Sequence, residues 1–529
     1  MKSTCPGYQA IILFAFFFLF GLQTNQAQDR TSQQIDSLVN KAMSTMPHVG
    51  LAIAVIKDGK VIHSKGYGMS SKASGKPVDE NTLFGIASNS KSFTAAALAM
   101  LVDEGKLDWN DKVVDHLPEF KMYEPYVTEN FNILDLLTHR SGLDLGAGDL
   151  MFFPDGADFK AIDVIKSFQY QKPVSAFRTK YDYDNLLYIV AGELIARVSG
   201  MSWPDFIEKR IMSPIGMSSS SAIFQNIIDH SNVANPHSIE KDRIKEFPNM
   251  GGLDPSAGAA GGIHSSVKDM SHWLLLQLNK GKYGDGLSEQ LFSEKNQKMM
   301  WKPHTNIGFN PTPGGPIKTH FEAYGLGWFI KDMNGLVVFQ HTGGLPGMLS
   351  STVVIPEINA AAVVLTNADP GGYSFWTMRA SITDLLIGAK PTDWISFMED
   401  RITQRESKGD SVLTATWKKA TKVDPLEKDP QGIMGIYKDN WFGKMEVFNK
   451  DGKLWMKSHR SPKLHGEMYY YQANTYAIKW EYQDMNCDAF AMFQLDEKGK
   501  GTGIKMKGIS PNIDFSFDFQ HLDLKRVSP

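Results

Sequence analysis

A serine followed three residues later by a lysine is the first pattern in this chain that could carry out nucleophilic chemistry. Ser88 and Lys91 lie in the stretch Ser-Asn-Ser-Lys. If a helix begins here, this spacing places both side chains on one face, and a helix N-terminus favours developing negative charge. Partial burial would lower the pKa of the lysine, so that it could act as a base near neutral pH. The pair therefore fits a serine nucleophile with its general base.

The spacing alone is not specific, because the chain contains it elsewhere. Ser88 differs in its context, since an apolar run precedes it and an alanine-rich stretch, 91–104, follows it. The two other matches are Ser238 to Lys241 and Ser265 to Lys268. Ser238 lies in a polar stretch, and Ser265 lies at a predicted helix start, where a serine commonly caps the helix.

A second candidate group is Tyr183 with Asn185, the one Tyr-x-Asn of the chain. The tyrosine could share a proton relay with the serine and lysine. The asparagine could bind the amide carbonyl of a substrate. The alternative is a buried tyrosine next to an Asn or Asp that caps the apolar helix that follows.

A third candidate group stands at the end of the predicted strand 335–340, where His341, Thr342, Gly343 and Gly344 follow one another. An edge strand with glycines lets a substrate backbone approach closely. A backbone N–H there could complete an oxyanion hole together with the N–H of the nucleophile. The alternative is an ordinary turn after a strand, with an exposed histidine.

The elements that must position these residues are helices and strands in alternating blocks. Two β-rich runs flank Asp58-Gly59, which predicts a hairpin. Strands return from Tyr324 onward, and the stretch from about 110 to 250 is richer in helical patterns and loops. The spacing of apolar residues predicts helices over 32–46, 91–104, 264–280 and 374–387.

The composition changes after about residue 390. Residues 400–425 are charged and weakly apolar, as in a linker, and 432–527 alternates in short segments typical of about eight strands in a barrel or sandwich. The aromatic side chains of this module either line a ligand surface or pack its own core and its contact with the rest of the chain. The predicted divisions are a signal at 1–27, a first domain at 28–390, a linker at 391–428 and a β domain at 429–529.

The first residues predict export. Lys2 precedes the apolar run Ile11–Gly21, and a polar stretch leads to Ala27, after which we place cleavage. A retained membrane anchor is the alternative, but the run is short for a span of roughly 20 residues. Cys5 leaves with this segment, so that Cys487 is the one thiol of the mature chain. The mature protein is expected in the periplasm or outside the cell, without a stable membrane span.

Charge and composition limit the kinds of molecule that the protein is expected to bind. The 529 residues carry a net charge of −3, which argues against nucleic acid. The 14 histidines show no close spacing of metal ligands, so a metal site is not expected. A small molecule or peptide substrate remains, and the sequence does not address the oligomeric state.

Together, the motifs in this order resemble the serine β-lactamases of class C, the D-Ala-D-Ala carboxypeptidases, and the related penicillin-recognising esterases and D-aminopeptidases. The phrases between them are similar as well: FGIASNSKSFTAAAL, DLLTHRSGL, the run at 261–273, and YGLGW before HTGG. The resemblance covers about 30–390. The segment after 430 resembles a lipocalin-like module often attached to this family.

The resemblance implies an α+β fold, with an antiparallel sheet flanked by helices, a helical region, and the active site between them. Ser88 would form an acyl-enzyme, Lys91 would accept its proton, and Tyr183 would assist. Asn185 and the segment 341–344 would hold the substrate, with the backbone N–H groups of Ser88 and Gly344 as oxyanion donors. The substrate would be a D-amino acid peptide, a β-lactam or a small ester, and the reaction would require no metal or cofactor.

Two departures from the family pattern matter. His341 stands where class C enzymes have a lysine that holds a substrate carboxylate, so efficient β-lactam hydrolysis is not implied. Asp184 adds a charge that would either disfavour anionic substrates or cap a helix. The alternative to a hydrolase is a penicillin-binding sensor or binding module that acylates but turns over slowly.

Overall fold

The computed structural model describes residues 30–240, 243–247, 255–314, 316, 318–369, 372–421 and 430–528. The predicted signal segment lies outside these residues. An α+β unit is followed by a closed barrel, which confirms the predicted fold class. Among the described helices, none is by itself long and apolar enough for a membrane span; one pair, Leu186–Ser199 with Trp203–Met212, passes on length and composition but is bent by 72°.

The α+β unit is built on a nine-stranded antiparallel sheet. The predicted hairpin at Asp58-Gly59 is confirmed, and both residues have positive φ, as its tight turn requires. In spatial order the strands are Thr305–Phe309, Phe321–Tyr324, Phe329–Met333, Leu336–Leu345, Met348–Ile355, Ala360–Thr366, Gly50–Lys57, Lys60–Ser71 and Lys76–Pro77.

The strand Gly50–Lys57 shows why helices cover both faces of this sheet. Its residues through Ile56 are buried, and because side chains alternate along a strand, they feed two separate cores. Leu51 faces the core shared with helix 30–45 and the helix Tyr373–Leu386. Ala52 faces the core shared with the helices on the other side.

The second face of the sheet packs on helices that come from the middle of the chain. Ser90–Asp103 carries small and apolar residues on all sides and is buried almost throughout, which fits a helix in the centre of a domain. The other helices on this side and in the helical region are Val113–His116, Pro125–Asn130, Ile133–Leu137, Ala161–Ser167, Leu186–Ser199, Trp203–Phe206, Gly258–Gly261, Val267–Leu278 and Glu294–Met300.

The C-terminal module is a closed barrel of eight antiparallel strands. The segment predicted to be a linker contains a 27-residue helix, Trp394–Ala420, because its apolar residues recur on one side and pack on the barrel. Trp417 of this helix meets Tyr469 edge-on. The barrel strands are Gly435–Asp439, Gly443–Lys450, Lys453–Ser458, His465–Gln472, Thr475–Trp480, Ala489–Leu495, Gly501–Gly508 and Leu524–Ser528.

The barrel docks firmly on the helical region. Arg460 reaches Asp158 at 2.6 Å and Asp163 at 2.8 Å. Phe153 and Phe517 pack edge to face across the junction with centroids 5.0 Å apart. A single cluster of buried apolar side chains runs through both units. The two units therefore share a core instead of being joined only by a tether.

Candidate active site

Ser88 lies in a strained turn that leads into a buried helix. The turn Ala87–Asn89 is a single 3₁₀ turn, and Ser90–Asp103 continues from it. Ala87 has a φ of +48°, in the left-handed region that a residue with a Cβ rarely adopts. Strain of this kind, of order 1–3 kcal/mol, persists where the surroundings fix it and is common at functional sites.

The sheet holds this turn in place. The Asn89 side chain donates to Ser350 Oγ at 2.7 Å and accepts from Thr352 at 2.6 Å. Ser350 in turn donates to the Ile86 carbonyl at 2.5 Å. Gly343 lies so close to the turn that a Cβ there would be 2.4 Å from the Ile86 oxygen. The strands on which the turn rests therefore fix the position of Ser88.

Lys91 is fully buried beside Ser88. Its Nζ donates to Ser88 Oγ at 3.0 Å, to Asn185 Oδ1 at 2.7 Å and to the Ala260 carbonyl at 2.7 Å. Burial lowers the pKa of Lys91 to about 7, although the charges of Asp149 and Asp184 act in the opposite direction. The lysine is thus able to exchange a proton with Ser88 near neutral pH.

Tyr183 covers the lysine. The Nζ of Lys91 lies 5.0 Å from the centre of the Tyr183 ring and 5.2 Å from that of Tyr188. Burial raises the pKa of Tyr183 well above its usual value, and the nearby Ser88 hydroxyl opposes this rise. Tyr183 is therefore a neutral phenol at the mouth of the serine–lysine pair.

Both the oxygen and the nitrogen of the Asn185 side-chain amide form hydrogen bonds. Its Oδ1 accepts from Lys91, and its Nδ2 donates to Asp149 Oδ2 at 2.8 Å. Asp149 is fully buried, and burial together with the charge of Asp518 raises its pKa well above the usual range. The asparagine thus connects the lysine to a carboxylate that the sequence patterns did not single out.

Asp184 is a buried residue at the start of the helix Leu186–Ser199. Burial raises its pKa to about 7, and the backbone N–H groups of Leu186 and Leu187 oppose the rise. It does not line the cavity at Ser88. Neither predicted role is supported by a contact: its carboxylate makes no capping hydrogen bond among the described residues, although it lies beside the N-terminus of this helix, where negative charge is favourable.

His341 is a neutral, buried histidine. Burial and the nearby charge of Lys91 lower its pKa to about 3. Its Nδ1 is 2.6 Å from the Thr342 carbonyl, which therefore receives an Nδ1–H, and its Nε2 accepts from Tyr324 Oη at 2.9 Å. With both nitrogens used, His341 offers a substrate no cation.

The strand that carries His341 differs from the prediction of an edge strand. Leu336–Leu345 lies inside the sheet, between Phe329–Met333 and Met348–Ile355. Its pairing with the former ends at Gln340, because that neighbour begins only at Phe329. Among the described residues, the last part of the strand is paired on one side alone and faces the Ser88 turn on the other.

A cavity of about 410 Å³ opens above Ser88. The predicted residues Tyr183, Asn185, His341, Thr342 and Gly344 line it with Ser88, whereas Gly343 packs behind it on the turn. Most other lining side chains are apolar or aromatic, and several come from the barrel. The further lining residues include Leu145, Phe152, Phe153, Tyr181, Phe329, Leu345, Asp369, Met485, Asp514, Phe515 and Ser516.

The residues that the sequence did not assign fall into two groups. His139 and Tyr324 lie inside phrases quoted for the family resemblance, and they surround Tyr183 and His341 in an aromatic cluster. Asp149 and the barrel residues carried no signal, because they stand in unremarkable stretches far along the chain from Ser88. Only the tertiary structure brings them to the site.

Two family models match the chain. The model described as Beta-lactamase matches residues 35–387, which is more than half of the chain. A domain of unknown function, DUF3471, matches residues 422–526.

Individual proteins and structures are also similar. The unguisins hydrolase ungD' of Aspergillus campestris is 26% identical over 388 residues, 72% of this chain and 70% of that protein. Protein flp of Staphylococcus aureus NCTC 8325 is 28% identical over 348 residues, 65% of this chain and 64% of that protein. The octameric penicillin-binding protein homologue of Pyrococcus abyssi is 21% identical with a TM-score of 0.58, over 93% of this chain and 99% of that one. The D-amino acid amidase of Ochrobactrum anthropi SV3 is 22% identical with a TM-score of 0.51, over 66% and 96%.

We predict that Gly343→Ala displaces the Ser88 turn. Its Cβ would lie 2.4 Å from a backbone oxygen that cannot rotate away. A displacement approaching 1 Å is expected to slow covalent labelling of Ser88 by a fluorophosphonate about 100-fold. Gly308→Ala is the matched control, because nothing lies within 4 Å of its Cβ. Equal labelling rates for both variants would contradict the prediction.

Proposed function

The chain belongs to the beta-lactamase family, and we propose that it hydrolyses amides or esters through an acyl intermediate on Ser88. The family makes it a serine hydrolase. The observation that carries the proposal for these particular residues is the buried Lys91, with Nζ 3.0 Å from Ser88 Oγ and a pKa near 7. A neutral lysine at that distance is a competent base for a serine.

In the proposed reaction, Ser88 Oγ attacks the substrate carbonyl carbon while its proton passes to Lys91 Nζ. The tetrahedral intermediate collapses, and the leaving amine or alcohol takes a proton from the lysine, directly or by way of Tyr183. Water then attacks the acyl carbon and gives its proton to Lys91. As the second tetrahedral intermediate collapses, the lysine passes that proton to Ser88 Oγ, so that the acid is released and Ser88 is free again. The backbone N–H groups of Ser88 and Gly344 are proposed to stabilise the oxyanion.

The charge of the cavity supports a restricted substrate class. The charged side chains among its described lining residues are Asp369 and Asp514, and none of that lining is lysine or arginine. His341 is neutral. A substrate carboxylate beside the scissile bond would meet no lysine or arginine among the described lining residues, which is unfavourable in a largely apolar cavity. We therefore favour amides or esters with an apolar or aromatic acyl part and a neutral or cationic group beside it.

The names of similar proteins support hydrolysis of an amide or ester. One relative is called an unguisins hydrolase, and one structural neighbour is a D-amino acid amidase complexed with L-phenylalanine. Another neighbour is described as a hydrolase with promiscuous acyltransferase activity. Class C β-lactamases are neighbours as well, so acylation by a penicillin belongs in the test. Export of the enzyme is part of the proposal and is supported by the apolar run Ile11–Gly21 after Lys2.

We predict that the wild type consumes an activated ester through Ser88. Intact-mass measurement should show that Ser88→Ala forms no adduct and retains under about 1% of the activity. Ser265→Ala, which changes another Ser-x-x-Lys serine that is buried outside the cavity, should behave as the wild type. A lasting penicillin adduct on Ser88 without ester turnover would favour the slow-turnover sensor, and labelling that survives Ser88→Ala would exclude this nucleophile.

We predict a preference for substrates without an anionic group. Phenylalanine p-nitroanilide, tested as both enantiomers, should be cleaved with a kcat/KM roughly tenfold or more above that of its succinylated form, because the succinyl carboxylate enters a largely apolar cavity whose described lining holds no lysine or arginine. A higher kcat/KM for the succinylated form would contradict the proposed substrate class.

We predict that kcat/KM decreases at low pH because Lys91 becomes protonated. The active lysine is neutral, so kcat/KM for an uncharged ester should fall about tenfold per pH unit below pH 7 and level off above it, since the pKa of Lys91 is about 7. Lys91→Arg keeps a charge that cannot be removed and should lose at least roughly 100-fold. Full activity held constant from pH 5 to pH 9 would contradict the role of this lysine as the base.

A further inference from the structure

A segment of the barrel reaches into the active site and hydrogen-bonds to its buried carboxylate. Ser516 Oγ donates to Asp149 Oδ2 at 2.9 Å, the same oxygen that accepts from Asn185 at 2.8 Å. Asn185 accepts from Lys91 at 2.7 Å. A continuous chain of hydrogen bonds therefore runs from a barrel serine to the lysine beside the nucleophile.

A second barrel residue fixes the backbone around Asp149. Asp518 is fully buried and accepts from the N–H of Gly148 at 2.7 Å and from that of Leu150 at 3.0 Å. His521 binds Asp518 at 3.0 Å and Asp144 at 3.0 Å. The backbone is thus held by the barrel on both sides of Asp149.

A third barrel residue forms part of the cavity wall. Phe515 lines the cavity and meets the Tyr183 ring edge-on, with centroids 6.0 Å apart. It keeps 39% of its surface exposed although it is a large apolar side chain. Its ring also packs on Gly146, where a Cβ would lie 2.7 Å from it. The position suits an aromatic surface that a substrate covers.

We propose that the barrel segment 514–518 completes the active site, with Asp149 as a positioning residue for Lys91 and Phe515 as a specificity-determining residue. Ser516 and Asp518 hold Asp149 in place, and Asp149 orients Asn185 and supplies negative charge near the lysine ammonium. Phe515 contacts the apolar part of the substrate. This inference rests on the proposed function, because it assigns residues to that reaction.

The sign of the electrostatic effect follows from the groups around the lysine. In its ionised form Asp149 stabilises protonated Lys91 and raises the pKa of the lysine against the effect of burial. Burial and the charge of Asp518 favour the protonated form of Asp149, and the hydrogen bonds from Asn185 and Ser516 favour its ionised form. Removing the charge of Asp149 makes the lysine lose its proton at lower pH, so the acid limb of kcat/KM moves down. The other groups that face Lys91 are Asp184, which also raises its pKa, the neutral His139 and His341, and the phenols Tyr183 and Tyr188.

The first experiment compares pH profiles of the full-length enzyme. Asp149→Asn is expected to move the acid limb of kcat/KM down by about one pH unit. Ser516→Ala should move it in the same direction by less, because Asp149 loses one of two donors and becomes easier to protonate. The control is Ser461→Ala, a buried barrel serine whose Oγ has no hydrogen-bond partner among the described residues and lies outside the cavity.

The second experiment tests the cavity wall. Phe515→Ala is expected to raise KM for an aromatic acyl ester roughly tenfold with little change in kcat, and to have little effect on the acetyl ester of the same alcohol. The control is Phe490→Ala, an aromatic residue on the side of the barrel that faces the helix Trp394–Ala420, where it packs on Tyr471.

The outcomes separate this inference from the proposed function. Suppose that Ser88→Ala abolishes labelling but Asp149→Asn and Ser516→Ala leave the acid limb of kcat/KM unchanged. The positioning role of Asp149 is then wrong, and the assignment of Ser88 as the nucleophile is still supported. An equal loss of activity on aromatic and acetyl esters in Phe515→Ala would overturn the specificity role. If labelling survives Ser88→Ala, the proposed function itself fails. Thermal unfolding of each variant identifies changes that are due to misfolding, and for a variant that misfolds Asp149→Glu or Phe515→Leu is measured in its place.

Discussion

The burial of the Lys91 ammonium group is the interaction on which the rest of the site depends. Removing such a group from water costs several kcal/mol unless good acceptors replace the solvent. Here the acceptors come from separate segments: Ser88 before the lysine's own helix, Asn185 at the start of Leu186–Ser199, and Ala260 in Gly258–Gly261. Three parts of the chain must therefore meet at one nitrogen atom. Helix packing around Ser90–Asp103 brings them together, and the small residues of that helix allow the close approach.

The same arrangement explains why the nucleophile stands in a strained turn. A regular helix start would not need the left-handed conformation of Ala87, and the backbone accepts it because the neighbouring strands hold Ile86 and Asn89 by side-chain hydrogen bonds. Gly343 has no side chain where the turn approaches its strand. The sheet thus fixes the position of the Ser88 turn, and the helical region supplies the ionisable group, Lys91, beside the serine.

Much of the fold was accessible from sequence because local patterns determine it: the hairpin at Asp58-Gly59 and the helix that follows Ser88 are examples. The same patterns named the residues now found around one cavity, although their catalytic roles remain proposals. The linker interpretation missed a helix, since the periodicity of Trp394–Ala420 is diluted by charge. Local patterns also could not show that Asp149 meets Ser516, because the pairing joins common residue types 367 positions apart. Nor could they show that Tyr324 occupies a nitrogen of His341.

The distance along the chain between the two halves of the site has a consequence for folding. The contacts of Ser88 with Lys91 are local, so they form as soon as the buried helix packs. The contacts of Asp149 with the barrel close a loop of several hundred residues, and contacts of that length form late. In a refolding molecule, the contact of Ser516 with Asp149 is therefore expected to form after the contact of Asp149 with Asn185, which spans 36 residues. With the proposed role of the barrel segment, native catalytic behaviour is expected to return when the barrel docks, and helical structure is expected to return earlier.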